Sequence, residues 1–459
     1  MVRKKSSGIF LKGKHLTGGF KEKGVLSMCH ANELLRFIEN SPSCFHVIAN
    51  FREMLTSAGY EELYESEKWT LTAGGKYFVV RNESTVAAFR VPKTDFSGFM
   101  MSAAHSDSPS FKVKENPECA GAFCVRLNTE KYGGMLMAPW FDRPLSVAGR
   151  LIVREGGKII TKLVNVDRDL LIIPSLAIHM NRAANDGVKL MANVDTYPLY
   201  GGADAKGSFL RTVAEAAGVR EADILGHDLF LYVRQPGTVL GANGEFLASP
   251  KLDDLECAFG CMKGFLAAKD TDSVPVCCVF DNEEVGSGTK QGAASTFLSD
   301  VLHRINACCG RSEEEYRTAV AASFLVSADN AHAMHPNHPE FSDSQNCPQL
   351  GGGVVVKYNA NQHYTTDAVS SAIFRSICAD AGVPVQTYAN RSDLPGGSTL
   401  GSIANMQVSL NTVDIGLAQL AMHSAYETAS TADLDSLIGA MTAFYGRSLR
   451  AERGAAYLL

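Results

Sequence analysis

The chain has 459 residues, of which 46% are hydrophobic and 20% are charged, values typical of a globular protein with two or three domains. Its formal net charge of −6 offers no basic face to replace the counterions of a nucleic acid, so we expect no nucleic-acid partner. No apolar run approaches the ~20 residues that a membrane-spanning helix needs, so we expect no membrane partner.

The first 27 residues are basic and glycine-rich, and they lack the long apolar core of a secretory signal. We predict a flexible basic tail over residues 1–27, with a weak transit or docking segment as the alternative. Met28 is a possible later start of the chain.

The chain contains 12 cysteines but no pair with the CxxC spacing of a thiolate zinc site. Several are adjacent, such as Cys277 and Cys278, and this arrangement does not suggest a disulfide framework. The cysteines therefore favour reduced, mostly buried thiols in a cytoplasmic protein.

Regular structure is predicted from residue 28, where a helical pattern is interrupted by Ser41-Pro42-Ser43 before a second helix begins. Residues 77–91 are strand-like. Further along, four apolar strand-like runs lead to polar groups: 99–101 to His105 and Asp107, 274–280 to Glu283 and Glu284, 324–326 to Asp329 and His332, and 408–415 to His423. Loops from several strands converge at the carboxyl ends of an α/β sheet, so these groups are expected to form one site.

Residues 110–244 have a different pattern, with short strand-like runs, glycine turns and few long helices apart from 210–217. We predict a β-rich domain over 110–244. It is inserted between the two parts of an α/β catalytic domain, 28–109 and 245–459.

Glu283 and Glu284 form the sharpest local signal. At the end of a strand, one carboxylate can bind a metal ion while its neighbour accepts a proton from water. A solvated acidic turn is the ordinary alternative. The preceding apolar run indicates a buried strand, and burying two adjacent carboxylates without a cation is costly.

The other candidates each have an ordinary interpretation as well. Asp253 could cap a helix or bridge two ions, and His105 with Asp107 could be a surface turn or a ligand with its supporting carboxylate. His423 alone would suit a core histidine. His332 belongs to a histidine-rich stretch that prolines at 336 and 339 keep from forming a regular helix, which favours a loop lining a site.

Taken together, two histidines with Asp and Glu carboxylates suit Zn²⁺ or Co²⁺ better than an oxygen-only calcium site. A carboxylate-bridged pair of ions ~3.5–4 Å apart serves hydrolysis by polarising a carbonyl and activating water.

These motifs, in this order, resemble the aspartyl aminopeptidase family of metallopeptidases, over nearly the whole chain beyond the basic segment. The matching segments are Ser41-Pro42-Ser43, Ala104 to Pro109, Tyr132-Gly133-Gly134, Trp140 to Arg143, Leu176 to His179, Leu252-Asp253, Asp281 to Ser287, Ser327 to Asn337 and Ala421 to Ser424. The resemblance implies an α/β/α zinc-peptidase fold with a central mixed sheet. It also implies that the inserted β-rich domain mediates dimerisation.

The resemblance further implies two zinc ions per subunit, with Co²⁺ or Mn²⁺ as substitutes. The implied metal ligands are Asp253 as the bridge, His105 and Asp329 for one ion, and Glu284 and His423 for the other. Glu283 would be the general base and Asp107 would orient His105.

The substrate-binding positions implied are His332, Lys357 and Tyr364, together with His179 acting in the site of a partner subunit. The substrates implied are peptides with an amino-terminal Asp or Glu, and the assembly is a homododecamer built from dimers. Acidic specificity needs a cation, for which Lys357 is the first candidate and Arg391 the second. For Lys357, sequence alone favours a surface lysine.

Two other classes of function remain open at this point. The same two-metal site could serve a carboxypeptidase or an amide deacylase of related fold. The chain could also be a non-enzymatic scaffold or peptide-binding particle that retains the fold.

Overall fold

The computed structural model describes residues 30–453 and 456–458, so the basic segment predicted over 1–27 lies outside the described residues. The helices are α1 (30–39), α2 (Cys44–Ser57), α3 (Ala192–Asp195), α4 (Phe209–Ala217), α5 (Leu252–Ala267), α6 (Phe297–Cys308), α7 (Glu313–Ala321), α8 (Ala368–Asp380), α9 (Leu400–Gln407) and α10 (Thr431–Tyr445).

The first twelve strands are β1 (Glu61–Leu63), β2 (Gly75–Arg81), β3 (Thr85–Val91), β4 (Phe99–His105), β5 (Ser110–Ala120), β6 (Cys124–Tyr132), β7 (Leu145–Glu155), β8 (Lys158–Asn165), β9 (Leu199–Gly202), β10 (Ile224–Val233), β11 (Thr238–Leu240) and β12 (Phe246–Ser249). The remaining strands are β13 (Val274–Phe280), β14 (Phe324–Ala328), β15 (Ala331–His332), β16 (Val354–Tyr358), β17 (Val385–Ala389), β18 (Asn411–Gly416), β19 (Ala418–Leu420), β20 (Glu427–Ser430), β21 (Arg450–Glu452) and β22 (Ala456–Leu458).

The largest sheet has nine strands in the order β1-β2-β3-β13-β4-β14-β18-β16-β17. Its centre, β13-β4-β14-β18, is parallel, whereas β3 and β16 run antiparallel to their neighbours β13 and β18. This confirms the predicted α/β fold with a central mixed sheet. The strand-like stretch over 77–91 is a hairpin of β2 and β3 that turns at Asn82 and Glu83, both with positive φ.

Helices cover both faces of this sheet because its central strands are apolar on both sides. Along β4, Met100 and Ala104 pack into the core under α1, α2, α5, α8 and α10. The alternate residues Phe99, Met101 and Ala103 pack into a second core under α6, α7 and α9. The result is a three-layer α/β/α arrangement with buried strands whose ends carry the polar groups.

A second sheet of six strands, β8-β7-β10-β5-β6-β9, is built wholly from residues 110–233. Along β10 the side chains alternate between buried and partly exposed, as expected for a sheet with one face on a core. That core includes Phe209 and Val213 of α4, and this helix confirms the one predicted over 210–217.

A third sheet, β11-β12-β20-β19-β15, connects distant parts of the chain. The short strand β11 falls inside the predicted 110–244 insertion yet pairs with β12, which lies beyond it. The domain boundaries at 110 and 244 stay a prediction. Within the described residues, no helix is both long and apolar enough to cross a membrane.

Candidate metal centre

The candidate metal ligands come from the ends of neighbouring parallel strands. His105 ends β4, and its partner in the register is Phe280, the last residue of β13. Asp329 directly follows β14, which pairs with β4 on its other side. Parallel strands end at the same sheet edge, so the predicted polar clusters after these strands meet there.

Two groups of side chains converge at this edge and share Asp253. In the first group, His105 Nε2 lies 3.5 Å from Asp253 Oδ1 and 3.9 Å from Asp329 Oδ1. In the second, His423 Nε2 lies 3.2 Å from Asp253 Oδ2 and 3.5 Å from Glu284 Oε2. Asp253 therefore presents one carboxylate oxygen to each group.

These separations fit zinc. Ligands about 2.0–2.1 Å from a tetrahedral zinc ion stand about 3.3–3.4 Å from one another, which lies within the range measured between the ligand atoms. Asp253 Oδ1 and Glu284 Oε1 are buried and have no hydrogen-bond partner among the described residues. A cation would satisfy both atoms, and the mixture of imidazole and carboxylate suits zinc.

Asp107 supports the centre by more contacts than the sequence suggests. Its backbone oxygen lies 3.0 Å from His105 Nδ1, closer than its carboxylate at 3.4 Å. The carboxylate oxygens instead accept the backbone N–H groups of Glu283 (3.1 Å) and Glu284 (3.2 Å). The hydroxyl of Tyr132, from the six-stranded sheet, also donates to this carboxylate at 2.7 Å.

Further residues that the sequence does not predict also support the metal centre. Asp254 Oδ2 accepts the backbone N–H of His105 at 3.1 Å, and Glu427 accepts backbone N–H groups from Asp253 and His423. Asp254 was detectable as the neighbour of a candidate ligand. No local pattern marks Glu427 or Tyr132, because their partners lie far away in the chain.

The charges in this site are mutually dependent. Burial raises the pKa of Glu283 to about 8, opposed by the charge of His105, and burial raises the pKa of Glu284 well above its usual value. Burial also acts to raise the pKa of Asp253, but the nearby imidazoles of His105 and His423 lower it overall. Several buried carboxylates around few cationic groups form a site that favours added positive charge.

A cavity of about 280 Å³ opens onto both groups and is also lined by the predicted substrate-binding residues His332, Lys357 and Tyr364. Lys357 is 2% exposed, so the surface lysine favoured by sequence alone is wrong. Its Nζ donates to the backbone oxygens of Asp329 (2.9 Å) and Asn330 (3.2 Å), and it lies 5.2 Å from the Tyr364 ring centroid.

Two other predicted residues lie apart from both groups. Arg391 lines a neighbouring cavity of about 250 Å³ and is paired with Asp393 at 2.6 Å. His179 is exposed and does not belong to the lining of the site cavity. Its predicted role in a partner subunit stays a prediction.

Comparison with known proteins decides the family. The family described as Aminopeptidase I zinc metalloprotease (M18) matches residues 37–445. The chain belongs to the M18 aminopeptidase family. This confirms the resemblance seen in the sequence, and it makes the protein a zinc metallo-aminopeptidase, hence a hydrolase.

Individual relatives agree with this assignment. The chain is 42% identical to a probable M18 family aminopeptidase 2 of Clostridium novyi, over 88% of this chain and 95% of the relative. A chain in the cryo-EM structure of the Ape4 and Nbr1 complex superposes with a TM-score of 0.90 at 33% identity, covering 92% of this chain and 86% of that one. A chain of the S. cerevisiae mApe1 dodecamer superposes with a TM-score of 0.79 at 28% identity, covering 90% of this chain and 96% of that one.

Proposed function

We propose that this M18 aminopeptidase removes amino-terminal Asp or Glu residues from peptides, using two zinc ions and Glu283 as general base. The observation that carries the proposal is Asp253, which presents one oxygen to each of two ligand groups. In the proposal Asp253 bridges both ions, His105 and Asp329 complete one site, and Glu284 and His423 complete the other. When bound, the zinc pair polarises the scissile carbonyl and lowers the pKa of the attacking water.

Glu283 is well placed for proton transfer. It lines the site cavity, and its backbone N–H is held by Asp107 beside the second ligand group. A carboxyl group whose pKa lies near neutral can accept a proton from the attacking water and release it to the leaving amine. Burial raises the pKa of the Glu283 carboxyl above that of a free glutamate, which makes its carboxylate a stronger proton acceptor.

Lys357 is the better supported cation for an acidic side chain. Its ammonium group has three donors, and two of them go to backbone oxygens. The carboxylate of Asp329 lies 3.7 Å away, beyond hydrogen-bonding distance, so one donor has no partner among the described residues and could bind a substrate carboxylate. His332 and Tyr364 line the same cavity and would contact the substrate. Arg391, already paired with Asp393, is the weaker candidate.

We also propose that the inserted domain, residues 110–244, pairs two subunits and that dimers build a dodecamer. Exposed apolar side chains are concentrated in one stretch of this domain: Ile172, Leu176, Ile178, Met180, Val188, Met191 and Val194. Apolar surfaces of this kind commonly mark protein interfaces. His179 lies within the stretch, which supports its action in the partner's site.

We propose a cytoplasmic location for the protein. All eleven cysteines among the described residues are free, and some are partly exposed, including Cys119 and Cys124. Free thiols persist most readily in a reducing compartment.

The proposal is tested by a hydrolysis profile with zinc-loaded protein. Peptides that differ only in an amino-terminal Asp, Glu, Ala or Leu are compared, each with a free and an acetylated amino terminus. We expect efficient release of Asp and Glu, and loss of activity on the acetylated forms, which separates an aminopeptidase from an amide deacylase or carboxypeptidase. Cleavage of neutral residues without cleavage of Asp or Glu would contradict the specificity.

A further inference from the structure

Glu427 is a buried carboxylate directly behind the metal centre, and the proposed reaction does not use it. It begins β20 and is 1% exposed. Its Oε2 accepts the backbone N–H of Asp253 at 3.0 Å, and its Oε1 accepts the backbone N–H of His423 at 2.7 Å. The Glu427 side chain therefore holds the backbone of two candidate ligands. These are Asp253, which both ligand groups share, and His423, which belongs to the second group.

Both of those backbone segments are irregular. Asp253 lies in the first turn of α5 but has non-helical angles, φ −80° and ψ 109°. His423 has φ 64°, in the left-handed region that residues other than glycine rarely adopt. The left-handed conformation of His423 persists where surrounding contacts determine it. The backbone oxygen of His423 is held as well, by the N–H of Leu136 at 3.0 Å.

We infer that Glu427 is a positioning residue that directs Asp253 and His423 toward the second zinc ion and thereby sets the affinity of that site. The inference rests on the proposed two-zinc function. Groups that orient metal ligands commonly contribute 10–100-fold to metal affinity. Glu427 would act through the backbone N–H groups of the two ligands. By holding the backbone it fixes the position and direction of each ligand's Cα–Cβ bond.

The chemistry requires a carboxylate at this position, since both oxygens act as acceptors. A glutamine has one acceptor oxygen and would turn its NH₂ group toward the other backbone N–H. Glu427→Gln therefore keeps one of the two hydrogen bonds and leaves the other N–H buried beside a donor. Glu427→Asp keeps the charge, but its side chain is one carbon shorter. It therefore cannot bring its two oxygens within hydrogen-bonding distance of both backbone N–H groups at once.

Asp433 provides a matched control in the same chain. It is fully buried, and its two oxygens accept the backbone N–H groups of Gly351 (2.8 Å) and Gly353 (2.7 Å). It belongs to neither ligand group. Asp433→Asn thus makes the same chemical change in a carboxylate that lies outside both ligand groups.

The test measures zinc binding to metal-free wild type, Glu427→Gln and Asp433→Asn by competition with a chromophoric chelator, alongside thermal unfolding of each metal-free form. We expect one of the two zinc equivalents to bind about 10–100-fold more weakly in Glu427→Gln and to be unchanged in Asp433→Asn. Unchanged zinc affinity in Glu427→Gln, or an equal loss in both variants, would overturn the inference.

Two further outcomes of this experiment also decide the inference. If Glu427→Gln does not fold, Glu427→Asp takes its place, and wild-type zinc affinity in that variant would overturn the inference. If wild type itself binds no zinc, the proposed function fails and the inference fails with it. If wild type binds zinc tightly and Glu427→Gln binds it equally well, the inference fails while the proposed function stands.

Discussion

Glu283 and Glu284 are neighbours in the chain with different surroundings, and those surroundings separate their proposed roles. Glu284 points at His423 and has one oxygen without a partner among the described residues. Glu283 faces the site cavity. The backbone N–H groups of both residues donate to the single carboxylate of Asp107. These two hydrogen bonds fix the turn that carries the Glu283 and Glu284 side chains.

The first residue-scale prediction concerns the general base. Glu283→Gln retains the size of the side chain but cannot accept the proton, so we expect kcat to fall about 10²–10⁴-fold. Zinc content should stay at the wild-type level because Glu284 is intact. Parallel measurement of kcat and bound zinc checks this, and turnover close to wild type would show that another group is the base.

The second residue-scale prediction concerns substrate choice. Lys357→Met removes the buried cation, so kcat/KM for Asp and Glu substrates should fall by about 10–100-fold, in line with ~1.5–3 kcal/mol for a hydrogen bond to a charged group. Substrates with neutral first residues should lose less. Arg391→Met is the matched control and should leave the ratio of acidic to neutral substrates unchanged. A changed ratio in the Arg391 variant alone would reverse the assignment.

At the scale of elements, the sequence indicates where strands end but not how they are ordered. The apolar runs before Glu283 and Asp329 predict buried strands, and the convergence of their ends follows from parallel pairing. The place of β13 between β3 and β4 depends on long-range pairing, which no local pattern encodes. Residues such as Glu427 and Tyr132 escape prediction for the same reason, since their roles come from contacts with distant segments.

Close packing between elements near the site leads to a third prediction. A Cβ at Gly416, the last residue of β18, would stand 1.9 Å from the backbone oxygen of Asp329. Gly416→Ala should therefore shift that backbone and lower the free energy of unfolding by about 1–3 kcal/mol. It should also weaken zinc binding, because Asp329 is a proposed ligand.

The control for this packing prediction is Gly439 in α10, where a Cβ would meet Val383 at an ordinary 3.4 Å. Gly439→Ala should leave zinc binding intact and change stability by about 1 kcal/mol or less, since alanine favours a helix. Denaturant unfolding and zinc titration of both variants check the pair. Equal changes in unfolding free energy and zinc affinity in the two variants would show that the close contact at Gly416 has no special effect.

At the scale of the whole molecule, the inserted sheet and the metal centre are physically connected. Tyr132, at the end of β6, donates to Asp107 and accepts from Asn282 Nδ2 at 2.8 Å. Arg150 of β7 donates to the backbone oxygen of Asn82 at 2.8 Å, which adds a second link to the nine-stranded sheet. The part of the chain proposed to form the dimer thus also supports the residues proposed for catalysis.

The fourth prediction tests whether His179 acts in the partner's site. A Glu283→Gln subunit retains a working His179, and a His179→Phe subunit retains a working base. A mixed dimer therefore contains one complete site, and mixing the two inactive proteins should restore part of the activity. The measurement is hydrolysis after subunit exchange has been verified by mass. Confirmed exchange without recovered activity would contradict the action of His179 in the partner's site.

In the proposed mechanism, two zinc ions that share Asp253 carry the reaction. Its most direct test is titration of metal-free protein with zinc while release of an amino-terminal Asp is followed. We expect two zinc ions to bind per subunit, with full activity reached only at the second equivalent. Full activity with one zinc ion per subunit, or two bound ions without hydrolysis, would contradict it.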